Sequence, residues 1–152
     1  MLGQNAHSTT QRSFAEHVGA NGSDTTAYVR LIADDFSILC GADIADIAHF
    51  LCILHGRHPG VIDRAATKTA DDAARTWLVQ ATDGFVAERS FLTKLTVAAG
   101  PISGVSTTDQ SNAAVFGQRK ALDMLSQSDR NGCAIGAAIA LVSDWHSMRK
   151  IL

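Results

Sequence analysis

"ADDAARTWLVQATDGFVAERSFLTKLTVAA", Ala70 to Ala99, decides the fold class. These thirty residues contain no proline, and a helix of that length spans about 45 Å at 1.5 Å per residue. Trp77, Ala81, Phe85, Leu92 and Leu95 line up at helical spacing and give the segment an apolar face. Gly84 is the position where a kink is expected. Glu88 falls on the same stripe, between Ala81/Phe85 and Leu92/Leu95.

The same helical character extends both ways. The chain has only two prolines, Pro59 and Pro101, abundant alanine, and no run that alternates apolar and polar residues. Upstream, Ser23 or Asp24 caps a first helix with Tyr28, Ile32, Phe36 and Leu39 as its stripe, Asp35 at its edge and Gly41 as its stop. A second helix runs from Asp43 to His55, with Asp43 as N-cap and a core face of Ile44, Ile47, Ala48, Leu51 and Leu54. Gly56 and Pro59-Gly60 end it. "VIDRAA" (Val61 to Ala66) reads as a turn.

Downstream, "GPISGVST" (Gly100 to Thr107) is a loop, and Thr107 or Thr108 caps a fourth helix reaching Gln127. Its expected core face is Ala114, Gly117, Ala121, Leu122 and Leu125. A fifth helix starts at Ser128 or Asp129 and ends near Arg149. It is apolar nearly all round from Cys133 to Val142, which suits a central position. Gly132, Gly136 and Ala140 make a small-residue strip on it, as Ala113, Ala114 and Gly117 do on the fourth. The sum is an all-α, antiparallel up-and-down bundle of four to five helices over residues 24–152, preceded by a flexible polar segment over 1–23.

Composition narrows the setting. The apolar fraction of 46% excludes a disordered chain, and a net charge of −2 without a run of cations argues against nucleic acid as a partner. "CAIGAAIALV" (Cys133 to Val142) is about half of a membrane span. "MLGQNAHSTTQRS" lacks the apolar core of a signal peptide. Cys40, Cys52 and Cys133 are odd in number and lie in apolar runs, as reduced thiols do. A soluble, cytoplasmic protein follows, with a homo-oligomer as the expected assembly.

"HFLCILHGRHPG" (His49 to Gly60) places His49, Cys52, His55 and His58 at every third position. Three residues advance a helix by about 300°, so each step drifts about 60° and the ladder cannot hold one ion. His49 goes to the polar side with Asp46, and His58 joins the stop signal. His55, with Cys52, looks toward the core.

Polar residues on core stripes give a second route to a site. Asp35, His55, Glu88, Gln118 and His146 supply one per expected helix. If they meet, His55, Glu88 and His146 form a facial triad for a divalent metal (Zn, Fe or Mn), or Glu88, Gln118 and His146 line a small-ligand site. The alternatives are an internal hydrogen-bond network and outright exposure. The pattern argues against a ferritin-like di-iron centre, because the chain has no Glu-x-x-His and its one carboxylate version, Asp46-x-x-His49, falls on the polar side. No hydrolase, P-loop, dinucleotide or zincin motif is present. "SDRNG" (Ser128 to Gly132) has the look of an anion-cradling helix start and equally of an ordinary N-cap turn.

"VAAGPISG", "FGQRKALDMLSQSDRNGCAIGAA" and "ALVSDW", all from the second half of the chain, resemble a family of small alphaproteobacterial proteins of unknown function. That resemblance implies no activity and carries no site residues. Two functional expectations stand: a protein holding a metal or small ligand in its polar core, or a non-catalytic interaction module with a purely structural core.

Overall fold

The computed structural model describes the backbone of residues 2–102 and 109–152, and the side chains of 12–102 and 110–152. Every regular element within them is helical. Seven α-helices occur among the described residues: α1 (Leu2–Asn21), α2 (Ala27–Asp34), α3 (Gly41–His55), α4 (Val61–Lys68), α5 (Asp72–Ala99), α6 (Asp109–Gln127) and α7 (Cys133–Met148). α1 and α4 are the additions to the five expected. α1 runs through the segment set apart on composition, and α4 occupies the expected "VIDRAA" turn. The loop over 103–107 and the caps at Thr107 and Thr108 lie outside the described residues.

The chain divides into two compact units, residues 1–38 with 140–152, and residues 39–139. In the first unit, Ser23 donates from its backbone N–H to Asp144 Oδ1 at 2.6 Å and from its hydroxyl to Oδ2 at 2.7 Å. These bonds tie the N-terminal stretch of the unit to its C-terminal stretch. They also demand a glycine beside them: a Cβ on Gly22 would stand 2.8 Å from Val18 O and 3.1 Å from Asp144 Oδ1.

The expected first helix is interrupted. α2 stops at Asp34, and a 3-10 turn follows over Phe36–Ile38. The cause is Asp35, in extended conformation, whose carboxylate accepts from the Ser37 N–H at 2.9 Å and its hydroxyl at 2.6 Å. That local bond offers the backbone an alternative to the next helical turn. Of the expected stripe only Ile32 is buried, while Tyr28 and Phe36 are exposed.

In the second unit α3 and α4 each pack against both α5 and α6. Two helix starts share one device. Asp43 is the third residue of α3, not its cap, and accepts from the Cys40 N–H at 2.9 Å. Asp63 does the same for Gly60 at the start of α4, at 2.6 Å. Each carboxylate satisfies an orphan donor at the positive end of its helix. α5 is capped by Asp71, which accepts from the Ala74 N–H at 2.7 Å, and it ends at Gly100 with φ of 84°.

α5 is continuous through Gly84, which faces open space. Its buried line is Leu78, Phe85 and Leu92, a heptad spacing flanked by the half-buried Trp77, Ala81 and Leu95. On α7 the buried positions are Ala134, Ala138, Leu141 and Trp145.

α6 departs most from expectation. Ala114, Gly117, Ala121 and Leu125 are exposed, and of the expected core face only Leu122 is half-buried. The inward side carries Val115, Arg119, Asp123 and the fully buried Ser126. α6 turns a polar side inward because α4 presents Arg64 there.

Candidate functional site

Among the described residues of the second unit, two charged clusters are built on α4. The first centres on Asp63, which is buried. Its Oδ2 accepts from the Gly60 N–H, and Arg89 of α5 donates to the same oxygen at 3.3 Å. His58 Nδ1 stands 3.3 Å from it, on an exposed side chain. Arg89 is itself only 12% exposed, so the pair is largely withdrawn from water. A buried carboxylate tolerates such a place only with a cation and hydrogen bonds around it.

The second cluster joins α3, α4 and α6. Arg64 donates to Asp123 Oδ1, and Arg57, just beyond α3, donates to Oδ2 at 3.0 Å. Ser126 donates to the Asp123 carbonyl at 2.9 Å and lies 3.5 Å from Arg64 Nη1. At the far end of α4, Lys68 reaches the Gln127 carbonyl and Asp129 Oδ1. Asp129 therefore titrates below its ordinary value, first through the hydrogen bond from Lys68 and then through its charge.

An open groove of about 480 Å³ lies past that end, lined among others by Lys68, Asp71, Arg130, Asn131 and Ala134. It contains the "SDRNG" stretch. There the Arg130 N–H bonds the Ser128 hydroxyl at 3.2 Å, the Cys133 N–H bonds the Arg130 carbonyl at 3.1 Å, and Gly132 adopts φ of 79°. These are the bonds of a turn leading into α7.

The residues expected to form a site lie on four different helices, α3, α5, α6 and α7. His55 is the last residue of α3 and half-buried, and Glu88 is half-buried on α5. Gln118 and His146 are exposed, which corrects their expected core positions. Gln118 is exposed because α6 faces inward with its Asp123 side. On α7 the buried line runs through Trp145 instead of His146. His146 belongs to the first unit, and His55 and Glu88 to the second. Among the described residues no three His, Cys, Asp or Glu side chains are placed to share a metal ion. His49 and Asp46 also differ from expectation. Asp46 is buried, and His49 Nε2 bonds the Gly100 carbonyl at 2.9 Å, closing the end of α5.

Residues 18–152 match the family of unknown function DUF6975. The chain belongs to that family. The match takes in the end of α1 and all of α2 to α7, so both charged clusters lie inside the region that defines DUF6975. No curated protein and no solved structure matches the chain. DUF6975 brings no activity and no site residues, and the chemistry must be argued from the side chains. Among the described residues no helix is long and apolar enough to cross a membrane.

Arg57, Arg64, Lys68 and Arg89 are each engaged by a carboxylate. Both charged clusters join helices to one another. Exposed apolar side chains occur around α2 (Tyr28, Leu31, Phe36), on α5 (Val79, Val86, Val97) and on the outer side of α6. Ala113, Ala114, Phe116, Gly117, Ala121, Met124 and Leu125 are all exposed on that one helix, with Met124 at 64% and Phe116 at 52%.

Proposed function

We propose that the protein is a non-catalytic helical interaction module that pairs with a second copy of itself through the outer side of α6. One observation carries this reading: Ala113, Phe116, Gly117, Ala121 and Met124 are exposed together on one side of α6, with Lys120 among them, while Asp123 and Ser126 face α4. Contiguous exposed apolar surface of this kind marks a contact site more often than a bare exterior.

The pattern favours a second copy as the partner. Ala113, Gly117 and Ala121 are spaced four residues apart and are symmetric about Gly117. An antiparallel two-fold pair brings Ala113 opposite the partner's Ala121 and Gly117 opposite the partner's Gly117. A two-fold interface requires that self-complementarity. Small residues let the axes approach closely, and Phe116, Met124 and Leu125 supply apolar area on either side. The charged clusters on α4 are then structural, as the non-catalytic expectation has it. A bacterial, cytoplasmic setting with reduced Cys40, Cys52 and Cys133 belongs to the same proposal.

Cysteine cross-linking tests the register. Gly117→Cys is made in a chain whose Cys40, Cys52 and Cys133 are replaced by serine. Mild oxidation should give a disulfide-linked dimer, because position 117 meets its own copy. Gln110→Cys, which pairs opposite Met124, should link far less. Equal linking at both positions, or none at 117, overturns the proposed pairing.

A further inference from the structure

We draw no further inference here: the strongest candidate, the open groove of about 480 Å³ between the end of α4 and the start of α7, carries nothing, because its Lys68 is already held by Asp129 and what remains is a helix N-terminus with no second observation that points to a ligand.

Discussion

Arg64 and Asp123 join α4 to α6, and the pair sits on the side of α6 that the apolar pattern would have placed in solvent. Arg57 binds the second oxygen of the same carboxylate. The orientation of α6, and with it the exposure of Phe116 and Met124, therefore depends on an ion pair that is partly withdrawn from water. Asp123→Ala leaves Arg64 without its acceptor next to the buried Ser126. The expected cost is about 1–3 kcal/mol, above that of an ordinary surface pair. Urea unfolding of Asp123→Ala and Asp123→Asn measures it. A change within experimental error for both variants would mean that the pair does not hold α6.

Asp63 and Arg89 should matter more, since both are nearly buried. Asp63→Ala removes the cap on Gly60 and leaves a buried guanidinium uncompensated, at a cost of about 3–5 kcal/mol. Removing Arg89 as well should recover part of the loss. A double-mutant cycle over Asp63→Ala and Arg89→Ala reads the coupling directly. Strictly additive losses would show that the two side chains act independently.

Two glycines should respond in opposite directions. Gly22→Ala drives a methyl group into Val18 O and Asp144 Oδ1 and should destabilise by about 1–3 kcal/mol. Gly84→Ala, inside a continuous helix and facing open space, should stabilise by about 0.5–1 kcal/mol. Thermal melting of the two variants distinguishes them by sign. A stabilised Gly22→Ala would contradict the Ser23–Asp144 geometry.

The two observations behind that pair of variants also show what was legible in the sequence. α5 was, because a long uninterrupted repeat leaves a helix as the only element that fits. α4 was not, because two turns are too short to show a period. Its start is set by Asp63 reaching back to Gly60, a bond visible only once the chain has turned. The face of α6 escapes the sequence pattern for a related reason. Counting apolar residues gives the correct stripe, but Arg64 arrives from another helix and claims the opposite side. Glu88 is legible as a carboxylate on a core stripe, but the stripe gives no sign that its neighbour Arg89 reaches the buried Asp63. One position is about 100° of helix, so a residue just off the stripe can still meet a partner from another helix.

Acid should act through the surface carboxylates. Hydrogen bonds from the Cys40 thiol and N–H hold Asp43 below its ordinary value of 3.8, and Ser37 does the same for Asp35 through its hydroxyl and N–H. Asp129 is lowered by Lys68. A carboxylate whose folded value is depressed adds stability above its unfolded value, and loses it as pH falls through the folded one. Stability from these groups should therefore be flat from neutral pH down to about 5 and decline below about 4. Urea midpoints between pH 2 and 7 test this. Asp43→Asn should differ from the parent at pH 6 and converge with it at the acid end. A constant difference across the range would remove the carboxylate's charge from the explanation.

The central claim is that the outer face of α6 is a contact between two copies, and sedimentation velocity over a range of protein concentrations tests it most directly. The parent chain should shift from monomer to dimer as concentration rises. Met124→Glu and Ala121→Glu place charge on residues that are exposed in the monomer, so both variants should melt like the parent yet remain monomeric. A parent that stays monomeric at every concentration, or a dimer that survives both substitutions, would contradict the account.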